Sequence, residues 1–174
     1  MFIIHNTHIH HGPAYIFLPK NRKSVFYVFF SNGPRGEIAK VVRISKIPDS
    51  EQNIPDGILY NVAFGDILES NGVFAFDDSA RSNNGDMRKV LATVVRIVEK
   101  YMVKNKNAVL SFSGYTDKSG LESSSNQRIR LYQKIIDSNW DALSFRFQFW
   151  GIVEGCQEEY IPMKPYSRIL LRHK

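Results

Sequence analysis

The 174-residue chain has a single cysteine, Cys156. No internal disulfide can form, and a reducing compartment fits. A catalytic thiol needs a base beside it, and none stands near Cys156 in the sequence, so an incidental or structural role is expected. Long apolar runs are also missing, which leaves no bilayer-spanning helix. The start, Met1-Phe2-Ile3-Ile4-His5, has neither the basic opening nor the long apolar stretch of a signal peptide, so a cytoplasmic protein with no membrane partner is expected. There is no P-loop, no Gly-x-Ser-x-Gly elbow, no His-Glu-x-x-His and no Cys-x-x-Cys. Those absences exclude the enzymes built on these signatures, and no cofactor is expected. No internal repeat and no linker breaks the chain.

What is present is an ordinary globular composition. The length suits one domain, residues 1–174, with its own core. Hydrophobic residues make up 43% and aromatics 13%, and the twelve Phe and eight Tyr favour a sheet-rich interior. The net charge of +6 admits an acidic partner, either nucleic acid or a phosphate-bearing ligand, and equally describes a slightly basic solvated surface.

The pattern predicts strands, helix, strand, helix, strands. Residues 14–18 form a short apolar stretch ended by Pro19. Residues 24–31 are aromatic and β-branched with no polar face, which predicts a central strand covered on both sides. Ser31-Asn32-Gly33-Pro34-Arg35-Gly36 is a turn, and the strand at 37–47 puts Ile38, Lys40, Val42 and Ile44 on one face and Ala39, Val41 and Arg43 on the other. Strands are expected at 58–67 and 73–76. Met87, Val90, Leu91, Val94, Ile97, Val98, Tyr101 and Met102 recur at helical spacing. Asn83 or Asn84 is expected to cap that helix, with Asp86 in its first turn against the dipole. A buried strand follows at 108–112, then a polar loop, then a helix burying Ile129, Tyr132, Ile135 and Ile136. Residues 144–150 alternate, with Phe145, Phe147 and Phe149 on one face, and a last strand is expected within 167–172. The order predicts a single α+β domain, a bent, mostly antiparallel sheet carrying two helices.

Candidate chemistry centres on the strand end Ser113-Gly114. Glycine there lets the chain turn sharply and lets a ligand approach its amides. Thr116 and the start of the second helix offer further donors, and Arg128 or Arg130 supplies a planar charged fork. On a helix those arginines point about 200° apart, so they do not share one ligand comfortably. Arg128 shares a face with Tyr132. The alternative reading has one arginine paired with an acid and the other solvated. His5, His8, His10 and His11 form a second cluster, but with no cysteine or carboxylate nearby no metal site is assigned. Lys20-Asn21-Arg22-Lys23 with Arg35, Lys40, Arg43 and Lys46 could present a positive face to RNA, or merely a charged rim.

Two resemblances add to this. The segment Asn84-Gly85-Asp86-Met87-Arg88-Lys89-Val90-Leu91-Ala92-Thr93-Val94, with Ser113-Gly114-Tyr115-Thr116 and Arg128-Ile129-Arg130-Leu131-Tyr132, resembles an uncharacterised bacterial family of small proteins, chiefly from Bacteroidetes. Ser31-Asn32-Gly33-Pro34-Arg35-Gly36 and Val62-Ala63-Phe64-Gly65-Asp66 resemble its earlier signatures. The likeness runs from about Tyr27 to Gly151 and implies a bacterial, cytoplasmic protein of unassigned activity. The element order and Arg130-Leu131-Tyr132-Gln133-Lys134 are similar to the second half of the N-acetyltransferase fold, which implies an acyl-CoA-dependent enzyme using Tyr132 as general acid. In the acyl-CoA signature of those enzymes, the best alignment, Arg81-Ser82-Asn83-Asn84-Gly85-Asp86, matches neither glycine position.

Three functions follow. The first is an interaction protein that binds an anionic ligand or nucleic acid around Ser113, Gly114, Thr116 and Arg128, with Arg130 and Tyr132 on the adjoining helix. The second is the divergent acyltransferase. The third is a structural partner protein that binds another protein through the aromatic sheet.

Overall fold

A computed structural model of the chain describes residues 24–48, 57–70, 73–77, 83–113 and 125–174. Among these, eight strands and three helices alternate as β1 (Ser24–Gly33), β2 (Gly36–Lys46), β3 (Ile58–Ser70), β4 (Val73–Asp77), α1 (Met87–Lys104), β5 (Ala108–Ser113), α2 (Ser125–Ser138), α3 (Trp140–Arg146), β6 (Phe147–Val153), β7 (Cys156–Glu159) and β8 (Arg168–His173). Hydrogen-bonded strands follow the order β1-β2-β3-β5-β8-β6-β7, with β4 paired to β3 off this path. The paired registers are antiparallel except for the parallel β3–β5 pair. This is the mixed α+β, mostly antiparallel sheet that the sequence predicts, with a third helix added. The segment at 14–18, the basic residues 20–23 and the histidines at 5, 8, 10 and 11 lie outside the described residues, as do Gly114 and Thr116.

The chain groups into two compact units, and both β3 and α1 contribute residues to each. In the first unit, β1 and β2 form a hairpin in which Gly33 pairs with Gly36, leaving Pro34 and Arg35 as the turn. Gly36 has φ +82°, a left-handed conformation that costs any other residue strain. β1 stands at the end of the strand order rather than inside it. Its burial alternates, with Tyr27, Phe29 and Ser31 buried and Phe26, Val28 and Phe30 only half-buried. An all-apolar run thus serves a two-faced strand, because the aromatic rings on its second face retain partial exposure. The inner face carries Phe29 stacked on Phe64, with centroids 6.3 Å apart. In α1, Val90, Val94, Ile97 and Val98 supply the buried stripe at helical spacing, whereas Met87, expected on it, is 50% exposed in the first turn.

In the second unit, β8 lies between β5 and β6. Successive strand residues face opposite sides, and the registers sort the unit's side chains. One side holds Leu110, Phe112, Phe149, Ile169 and Leu171, where Tyr132 of α2 meets Phe112 edge-on at 5.3 Å and Trp140 of α3 meets Phe149 at 5.6 Å. The other side holds a cluster of Leu59, Val109, Trp150 and Leu170, flanked by Ile47 and Ile152. Gly151 in β6 is a packing position, since a Cβ there would lie 2.0 Å from the Tyr166 ring. The expected strand at 144–150 begins only at Phe147, because Ser144, Phe145 and Arg146 close α3, where Phe145 is 84% exposed.

Candidate functional site

At the C-terminal end of β5, Phe112 and Ser113 face opposite sides of the strand. Phe112 meets Tyr132 of α2, whose ring is buried. Ser113 pairs in register with Arg168 of β8, and Arg168 pairs in turn with Ile152 of β6. The partly exposed Ser113 hydroxyl thus has an exposed guanidinium as its cross-strand neighbour. Arg168 makes no ion pair among the described residues. On the same face, Arg172 donates from Nη2 to Gln148 Oε1 at 3.0 Å and lies over the Trp150 ring at 5.4 Å.

The expected site residues therefore separate. Ser113 ends β5, and Tyr132 packs on the opposite side of that strand. Arg130 is exposed on α2. Position 128 falls in the first turn of α2, and its side chain lies outside the described part. Gly114 and Thr116 lie in the segment between β5 and α2 that is not described. Arg168 is the residue that sequence reasoning missed. Strand pairing alone brings it to Ser113, and no local spacing announces that pairing.

Two stretches singled out in the sequence, residues 31–36 and 84–86, meet in the first unit. Asp86 accepts from the Ser31 hydroxyl at Oδ1 (2.7 Å) and from the Asn32 amide at Oδ2 (3.0 Å). Asn84 accepts from the Arg35 amide at 2.9 Å, and its own amide donates to Ser31 Oγ (3.1 Å) and to the Gly36 carbonyl (2.9 Å). Ser31 and Asn84 are buried. A Cβ on Gly33 would fall 1.8 Å from the Asn84 carbonyl oxygen, so this approach needs glycine. The expectation that Asn84 caps α1 with Asp86 in its first turn is corrected here. α1 begins after Asp86, with no acidic residue in its first turn, and both side chains hold the β1–β2 turn. The Lys40 ammonium in β2 is buried against the Asp66 carboxylate in β3. Lys40 and Arg43 lie on opposite faces of β2, so these two do not share one basic surface, while residues 20–23 lie outside the described residues.

The second unit also holds a tyrosine-carboxylate cluster around residues 158–166. The Tyr160 hydroxyl donates to Asp137 Oδ1 at 2.8 Å, and the Tyr166 hydroxyl donates to Glu158 Oε1 at 2.9 Å. Tyr166 Oη also accepts from the Ile161 amide, Asp137 Oδ2 accepts from the Met163 amide, and Gln133 donates to the Lys164 carbonyl. These bonds hold Met163 at φ +68°. Burial, and then Asp137, hold the Tyr160 phenol well above its ordinary range. Lys164, and then Tyr166, hold the Glu158 carboxyl below its own. All these groups already partner one another, as a built turn does. Among the described residues, no group of three His, Cys, Asp or Glu side chains is placed to hold a metal, and no helix is long and apolar enough to cross a membrane.

No curated protein and no solved structure matches the chain, and the acetyltransferase likeness gains no support from these comparisons. A family model matches residues 11–174, a longer span than the stretch from Tyr27 to Gly151 that carried the resemblance in the sequence. The chain belongs to this family, DUF6934, described as a family of unknown function.

Proposed function

We propose that the protein binds an anionic, phosphate-bearing ligand beyond the C-terminal end of β5. Ser113 and the backbone through Gly114 and Thr116 supply donors, and Arg128 and Arg168 supply charge. Arg130 and Tyr132 lie on α2, where the Tyr132 ring packs edge-on against Phe112. The observation that carries this reading is the register pairing of Ser113 with the exposed Arg168, which sets a hydroxyl beside a guanidinium that has no ion pair among the described residues. Strand ends with a following loop and helix are where open sheets hold ligands, and a guanidinium matches a phosphate with two parallel hydrogen bonds.

The test is titration of the protein with inorganic pyrophosphate and, separately, with a labelled single-stranded RNA, read by calorimetry and fluorescence anisotropy. Arg168→Ala is expected to weaken whichever probe binds by about 10- to 100-fold, as loss of a charge-assisted hydrogen bond implies. RNA binding is further expected to fall steeply with salt. Absence of binding by both probes, or equal binding by the variant, would overturn the reading.

A further inference from the structure

β2 carries two cations on its opposite faces, and they are treated differently. Lys40 is buried and has a carboxylate, Asp66. Arg43, three positions on, is half-buried and has none among the described residues. Its Nε–H is enclosed without a hydrogen-bond partner. Its guanidinium carbon lies 4.9 Å from the centre of the Phe76 ring. Among the described residues Arg43 forms no ion pair. Enclosed donors, and charged ones above all, are ordinarily paired. Arg43 also has an apolar setting. Its cross-strand partner is Phe26, and Val28–Val41 and Phe30–Ala39 are the next pairs on the same face. Phe26, Val28, Phe30 and Phe76 are all half-buried.

We propose that this face of the first unit is a binding site for an organic monocarboxylate with an apolar body. The Arg43 guanidinium lies over the Phe76 ring, and its enclosed Nε–H forms with one Nη–H the side-on fork that a carboxylate accepts with both oxygens once the half-buried side chains beside it admit the ligand. One cation balances one negative charge. The aromatic and branched side chains beside it take the apolar body, and they disfavour a dianion that would lose more hydration on entry. The site lies in the first unit and uses none of the residues assigned to the phosphate-bearing ligand, so the two readings stand or fall separately.

The experiment titrates the full chain with octanoate and 4-phenylbutyrate, with the matching alcohols and inorganic phosphate as controls. Thermal shift and calorimetry report binding. Both acids are expected to bind and raise the melting temperature, with the alcohols and phosphate at least tenfold weaker. Arg43→Gln is expected to weaken acid binding at least tenfold. Arg43→Lys keeps the charge but not the fork and falls between. Phe76→Leu leaves Arg43 in place and loosens its plane, giving a loss of several-fold, and it carries the test if the Arg43 variants fail to fold. A short apolar peptide with a free C-terminal carboxylate, compared with its amide, tells a peptide source from a free acid, and carboxylate-dependent binding from either source sustains the proposal. It is overturned if neither acids nor peptide bind, if Arg43→Gln and Phe76→Leu bind them unchanged, or if phosphate binds as well as the acids.

Discussion

Asp66 shows how much one residue depends on a neighbour that the sequence does not name. Alternation along 37–47 correctly places Lys40 on one face of β2 with Ile38, Val42 and Ile44, of which Val42 and Ile44 are fully buried. That position should be hostile to an ammonium, and the structure resolves the conflict with a carboxylate from β3. The two side chains are 3% and 7% exposed. The attraction of such a pair roughly offsets the cost of removing both ions from water, whereas removing one partner strands a buried charge. Asp66→Ala is therefore expected to lower unfolding stability by about 3–5 kcal/mol, measured by urea denaturation. The double change Lys40→Met with Asp66→Leu is expected to cost far less, or to stabilise. Equal losses in the single and double variants would show that shape, not charge, decides the site.

At the scale of elements, the start of α1 is a fastening between helix and hairpin. Asn84 and Asp86 together engage Ser31, Asn32, Arg35 and Gly36, and Gly85, at φ +79°, sets the bend between them. Local reading predicts a helix cap from Asn-Gly-Asp because caps have a local signature, whereas a hairpin some fifty residues earlier has none. The two accounts differ measurably in Asp86→Asn. Asparagine caps a helix about as well as aspartate, and a first-turn charge against the dipole is worth about 0.3–1 kcal/mol, so a role confined to the helix start predicts a loss of at most about 1 kcal/mol. An amide cannot accept from both the Ser31 hydroxyl and the Asn32 amide as the carboxylate does, so the fastening predicts a loss of about 1.5–3 kcal/mol, read from chemical denaturation. The third helix escaped notice for a related reason. The alternation of Phe145, Phe147 and Phe149 is genuine strand pattern only from Phe147 onward, and the seven residues of α3 are too few to show a helical period.

For the whole molecule, the class and order of elements were legible because hydrophobic period is local: 3.6 over α1, two over β2 and β6. Pairing between distant strands was not, and the proposed sites depend on it, since Arg168 meets Ser113 and Phe76 meets Arg43 only through long-range packing. The same long-range packing encloses tyrosines in both units, and this makes the folded state sensitive to alkali. Burial raises the phenol of Tyr27 in the first unit, and burial is also the leading cause for Tyr160 and Tyr166 in the second, with Asp137 and Glu158 adding to it. A phenol raised above its usual value of 10.0 holds its proton more tightly in the folded chain than in the unfolded one. The resulting stabilisation is fully present below that value and is lost as pH rises through the higher folded values. The tyrosines are therefore expected to leave the melting temperature steady between neutral pH and 10 and to make it fall beyond that, with part of the tyrosinate absorbance appearing only as circular dichroism reports unfolding. Tyr160→Phe removes the most strongly raised phenol and is expected to flatten that fall, at the cost of the hydrogen bond to Asp137. If all eight tyrosines instead ionise together near their usual value while the circular dichroism stays unchanged, the enclosure of these three rings is refuted.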